Sequence, residues 1–146
     1  MTEPLAWSET FSVGHQGLDA EHRQMVDLIN QVCLACDPSQ GARQPPTLLR
    51  ELESLTETHF EHEEAVLEEL YTTMSTDRRN LREILAAAKV EHATEHRSRL
   101  SDLREISRTL RCDELAVSKL CERLKAWFID QAVGYEAQMK TIIQSV

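Results

Sequence analysis

The sequence predicts an all-α protein, an up-down-up-down four-helix bundle behind a non-helical N-terminal arm, and three observations carry that expectation. Glycine and proline are absent from Thr47 to Val133, a stretch that helices tolerate and β-sheets, which need frequent turns, do not. The same stretch is rich in Leu, Glu, Arg and Ala, all good helix formers. Apolar residues recur at three- and four-residue spacing in separate runs, which lays the apolar side chains of each run on one helix face. At 146 residues the chain has the usual size of one domain, read as 1–146 with the arm over 1–17 and the bundle over 18–144.

The first helix is expected from Leu18 to Cys36, with Leu18, His22, Met25, Ile29, Val32 and Cys36 on one stripe. Asp37-Pro38 stops it, because a residue before proline avoids helical angles. The second is expected from Thr47 to Leu70 on a stripe of Leu48, Leu52, Leu55, His59, Glu63, Val66 and Leu70. Thr76-Asp77 reads as the cap of the third, which continues to Leu110 through Leu81, Leu85, Ala88, His92, His96, Leu103 and Ile106. Asp113 caps the fourth, with Val117, Leu120, Leu124, Trp127, Gln131, Tyr135 and Ile142 in register. The connections at 71–76 and 111–113 are short, so neighbouring helices run antiparallel and pack as a bundle.

Charge narrows the partners. With 16 Lys+Arg against 25 Asp+Glu, a net −9, the chain lacks the basic face that nucleic acid or an anionic membrane demands. No apolar run approaches the ~20 residues that span a bilayer. The start MTEPLAWSET has neither the basic residues nor the apolar stretch of a signal peptide, so the expected compartment is the cytoplasm. Cys33 and Cys36 form a C-x-x-C, but no strand precedes it as a thioredoxin-like motif requires. Cys112 and Cys121 are too far apart to supply a second pair for zinc, so the expectation is four reduced thiols, buried or half-buried.

The informative residues are polar ones on stripes that should be apolar. His22, His59, Glu63, His92, His96 and Gln131 all interrupt core stripes near their middles. A buried carboxylate without a partner is strongly destabilising, which makes an idle placement there implausible. His59/Glu63 and His92/His96 are i,i+4 pairs, so each pair stacks on one helix face, as two ligands of one metal or of adjacent metals must. Imidazole with carboxylate suits iron, zinc or manganese. His15 and His62 read instead as surface histidines. Four histidines and a glutamate converging from three helices point to a metal site in the core, and the donor count exceeds one tetrahedral zinc shell, implying two metals.

Trp7 followed by FSVGHQGLDAEH and LIN, then HFEHEE, then HATEH, resemble the motifs of the bacterial hemerythrins, and the resemblance covers nearly the whole chain. HFEHEE carries that family's H-F-x-x-E at His59 and Glu63, and HATEH supplies His92 and His96. The fourth helix departs from the family pattern W-L-x-x-H-I-x-x-x-D. Aligned on Trp127, the histidine is replaced by Gln131 and the aspartate by Glu136. The stretch from Leu67 to Val90 is also longer than the family's connection, and reads as extra turns on the second and third helices.

The resemblance implies two non-haem iron ions bridged by two carboxylates and an oxo or hydroxo group, with dioxygen binding at the iron that has fewer histidines. Carried over by residue, His22 and His59 would hold the open-site iron, His92 and His96 the other, and Glu63 and Glu136 would bridge. Gln131 stands where the second iron's third histidine belongs, with Trp127 and Tyr135 flanking as the surrounding pocket. Either Gln131 ligates weakly, or water fills the position, or Glu136 chelates with its extra methylene. Each option replaces nitrogen by oxygen, which favours the ferric state and puts reversible oxygen carriage in doubt. The expected function is binding or sensing of dioxygen, or of another small diatomic or peroxide ligand, with faster autoxidation. The alternatives are a di-iron enzyme with peroxidase, oxidase or nitric-oxide-detoxifying activity, and a metal-stabilised interaction module; another first-row metal pair is the alternative cofactor.

Overall fold

The structure, a computed structural model, describes residues 3–35, 44–74, 77–109 and 114–145, without the side chains of 114–117 and 135. Its long helices are α1 (Gln16–Ala35), α2 (Pro45–Thr73), α3 (Arg79–Arg108) and α4 (Glu114–Ile129), followed by a π-helical segment over Asp130–Tyr135 and a short α5 (Ala137–Ser145). Contacts join α1 to α2, α2 to α3, α3 to α4 and α4 back to α1, which closes the ring of an antiparallel four-helix bundle. None of the described helices is long and apolar enough to cross a membrane.

The arm is not wholly irregular, because Glu9–Phe11 forms one 3-10 turn capped by the Ser8 side chain. Asn30 of α1 clamps the arm by bonding both the Leu5 N–H (2.8 Å) and the Leu5 carbonyl (2.9 Å). Asp19 accepts from the Ser12 hydroxyl at 2.6 Å and from the Val13 N–H at 2.8 Å. Between these anchors the chain turns at Gly14, whose φ of 80° suits a residue without Cβ. His15 then starts α1, accepting the Leu18 N–H on Nδ1 and the Asp19 N–H on its carbonyl.

Helix α2 begins on Pro45 rather than Thr47, because proline at the first helical positions lacks only an N–H that would have no helical partner. Its buried residue past Glu63 is Leu67, four residues on, while Val66 and Leu70 are half-buried. Helix α3 starts at Arg79, after Asp77 instead of on it, with Arg78 at the N-cap. The other expected boundary signals, Asp37-Pro38, Thr76, Leu110 and Asp113, lie outside the described residues.

The fourth helix is the main departure from regularity. An uninterrupted α-helix was the expectation, yet the Glu136 N–H donates to the Gln131 carbonyl at 3.0 Å, a five-residue closure. Five residues along an α-helix point well apart, whereas one wide turn brings them back toward the same side. Gln131 and Glu136 are both fully buried as a result.

Two apolar clusters fill the bundle on either side of these polar residues. One joins Met25, Ile29, Val32, Leu48, Leu52, Leu103, Leu124 and Phe128, and the other joins Val13, Leu18, Leu67, Leu85, Met139 and Ile142. The extended ends of α2 and α3 build the second cluster. Near the first, Cys33 of α1 and Cys121 of α4 form a disulfide with Cα atoms 5.8 Å apart, so the expectation of four reduced thiols is corrected for this pair. The partners lie 88 residues apart in sequence, and only the α1–α4 packing brings them together. Cys36 and Cys112 lie outside the described residues.

Candidate metal centre

Four donor residues meet between the clusters: His22 from α1, His59 and Glu63 from α2, and Glu136 from just past the π segment. All four side chains are fully buried. His22 Nε2 lies 2.6 Å from Glu136 Oε2 and 3.0 Å from His59 Nε2. His59 Nε2 is in turn 2.9 Å from Glu136 Oε1 and 2.8 Å from Glu63 Oε1. Two imidazole Nε2 lone pairs cannot face each other at that range without a proton or a cation between them. Such spacing suits nitrogen and oxygen donors gathered at about 2.0–2.2 Å around one ion.

A second group shares Glu63 with the first and adds His92 and His96 of α3. His96 Nε2 is 2.8 Å from Glu63 Oε2, and His92 Nδ1 is 3.9 Å from the same oxygen. Glu63 therefore turns one oxygen to each group. Glu136 belongs to the first group, with both oxygens on His22 and His59, and does not join the second. The Phe60 ring stacks on His96 at 4.1 Å, fixing the plane of that imidazole.

Gln131 is fully buried, and neither amide atom has a hydrogen-bond partner among the described residues. A buried polar group left unpaired costs about 1–3 kcal/mol, so the orphan amide needs an occupant that it can bind. Its level in the bundle is set by Trp127, whose indole N–H donates to the Arg99 carbonyl of α3 at 2.9 Å. Four residues on, in the π segment, is Gln131, and three residues back along antiparallel α3 is His96. Trp127 itself packs in the apolar cluster, while the Tyr135 side chain lies outside the described residues.

Outer partners select the tautomers. His22 Nδ1–H donates to the Phe11 carbonyl at 2.6 Å, which leaves Nε2 to face the centre. His59 Nδ1–H donates to Glu21 Oε1 at 3.1 Å with the same consequence. Glu21 Oε2 also takes the His62 Nδ1 at 2.6 Å. His62 is exposed and His15 caps α1, and neither belongs to a donor group.

Without a cation the charges are in conflict. Burial alone would lower the His59 pKa, but Glu63 and Glu21 outweigh it and raise it to about 9. Burial would raise Glu63, yet His59 and His96 hold it down at about 2. His22 is pushed down to about 4 by burial and by His59, and His92 to about 4 chiefly by burial. Buried imidazoles kept neutral beside a buried carboxylate kept ionised are ready metal ligands.

Sequence reasoning did not single out Phe11 or Glu21. Phe11 acts through its carbonyl, which carries no side-chain signature. Glu21 precedes His22 directly, and its role depends on α2 presenting His59 and His62 beside it.

Fold and centre together define a helical-bundle protein built around a buried histidine–carboxylate cation centre. Comparison with family profiles matches the hemerythrin HHE cation binding domain over residues 13–142, and the chain belongs to that family. No curated protein and no solved structure gives a significant match.

Proposed function

We propose that this chain holds two iron ions in its core and binds dioxygen there, responding to it by oxidation instead of carrying it reversibly. The observation that carries this reading is Glu63, a fully buried carboxylate shared by two histidine groups on opposite sides. His22, His59 and Glu136 would hold one ion, His92, His96 and Gln131 the other, and Glu63 would span them. When bound, an iron pair supplies the two electrons that dioxygen takes up on binding. The chain's own part is to orient the donors and keep water away. Phe11 and the Glu21 carboxylate fix His22 and His59 through their Nδ1 atoms, and Phe60 fixes His96. Phe128, edge-on to His22 at 5.7 Å, and the flanking apolar clusters leave little room for solvent. Gln131 would bring an oxygen donor where the resemblance calls for histidine, and Glu136 a longer carboxylate where it calls for aspartate. The amide in place of an imidazole favours the ferric state and shifts the balance from carriage toward sensing.

The test is anaerobic loading with ferrous iron, metal analysis, and then mixing with oxygen. The expected result is two irons per chain at saturating iron, with near-ultraviolet absorption of a ferric pair growing in after oxygen is added. A folded protein that takes up no metal rejects the reading. A metal-loaded protein that leaves dioxygen untouched supports a metal-stabilised interaction module in its place, and sustained peroxide turnover supports an enzyme.

A further inference from the structure

We infer that the two metal positions are unequal. The position formed by His22, His59, Glu63 and Glu136 fills first and keeps its ion, while that formed by Glu63, His92, His96 and Gln131 fills later and exchanges readily. The inference rests on the two-metal reading above and adds an order of loading, a stable one-ion form, and a residue that sets the gap.

Charge is the first reason. Both oxygens of Glu136 are engaged with His22 and His59, at 2.6 and 2.9 Å. A dication there meets one whole carboxylate and a share of Glu63. On the other side only the share of Glu63 is negative, because His92, His96 and Gln131 are neutral as donors. Carboxylate count tunes cation affinity strongly at otherwise similar sites.

Rigidity is the second. His22 and His59 are fixed by Phe11 and Glu21, and they come from two different helices. His92 and His96 come from one helix, so a single shift of α3 moves both together.

The third reason is Gln131. It is fully buried, both amide atoms lack a hydrogen-bond partner among the described residues, and Trp127 sets it at the level of His96. Its Oε1 is a neutral, weak donor toward a divalent first-row ion where an imidazole nitrogen would be a strong one. The π turn explains the division: one wide turn of the fourth helix sends a carboxylate to one position and an amide to the other.

Titration of the metal-free protein with cobalt(II) tests this, since its visible bands report each ligand set without oxygen chemistry, and calorimetry counts the steps. The expected isotherm has two steps separated by at least about tenfold in Kd, and one ion survives gel filtration. Gln131→His should draw the steps together and retain the second ion. His92→Ala should abolish the weak step and spare the tight one, which keeps the test decisive if Gln131→His does not fold. Two ions bound in one step with equal affinity, or a His92→Ala variant that loses the tight step, would overturn the inference and leave the two-metal reading standing. No cobalt bound at all would overturn both.

Discussion

The two sides of the centre share a carboxylate and little else. On one side, the arm, α1, α2 and the end of the π turn each bring something: the Phe11 carbonyl, Glu21 and His22, His59, and Glu136. On the other, α3 supplies both imidazoles, and the contribution proposed for the fourth helix is only an amide. The difference teaches that a bundle whose helices look equivalent in cross-section can concentrate charge and rigidity at one level of its core. What matters is which helix carries a local irregularity and how many helices supply the ligands of each side.

Deleting what the sides share gives the largest effect. Glu63→Ala should empty both positions together, whereas loss from one side only would show that Glu63 does not span the pair. Metal analysis after cobalt or iron loading reads this directly. The metal-free variant should also be less stable, by about 3–5 kcal/mol, because His59 loses a buried charge partner; chemical denaturation measures it.

A smaller change acts on one side alone. Glu21→Gln keeps an acceptor near His59 Nδ1 but removes the charge that holds the tautomer and strengthens the imidazole as a donor. The tight cobalt step should weaken by about 10–100-fold, with the weak step unchanged. Equal weakening of both would mean that the two sides respond as one unit.

Proton linkage sharpens the same contrast in the metal-free protein. His59 is raised to about 9 by Glu63 and Glu21 against the effect of burial, so its contribution is full below its ordinary 6.5 and is lost as pH rises through 9. His22 and His92 are lowered to about 4, chiefly by burial, so their contribution is present above 6.5 and is lost as pH falls toward 4. Glu63, held at about 2 by His59 and His96 in spite of burial, keeps its contribution above its ordinary 4.5 and loses it as pH falls from there through 2. Denaturation across pH should therefore show greatest stability near 6.5 and losses on both sides. Glu21→Gln should flatten the alkaline limb, and it should also trim the acid limb below about 4.5, because the Glu21 carboxyl, which burial alone would raise, is held below its ordinary value by His59 and His62.

Much of this was legible in the sequence because buried polar residues contradict a helical stripe. His22, His59, Glu63, His92 and His96 each stand at a core position where leucine would serve packing better. The ring of four helices followed from the same periodicity. The π turn did not, since it appears in sequence only as Gln131 and Glu136 spaced five apart, and an α-helix extended past Trp127 gives no reason to expect it. The Cys33–Cys121 pair and the Glu21 bridge were hidden because both depend on which helix faces which, which no local pattern encodes. Leu67 takes the core place expected for Val66 because the stripe past Glu63 continues at the four-residue step, where helical periodicity allows either three or four.

The smallest effect belongs to His62, and it tests whether the contrast between the sides is one of ligands or merely of nearby histidines. His62 adjoins Glu63 in sequence, but its side chain is 57% exposed and bonds outward to Glu21. Among the described residues its link toward the centre runs through that carboxylate, on the His59 side. An exposed pair of this kind contributes at most about 1 kcal/mol, so His62→Ala should shift the tight cobalt step by no more than about fivefold. The weak step should not move, and neither ion should be lost. Should His62→Ala instead lose metal as completely as Glu63→Ala, the exposed histidine would be a ligand that swings inward on loading. The neutral amide of Gln131 would then no longer be what separates the two positions.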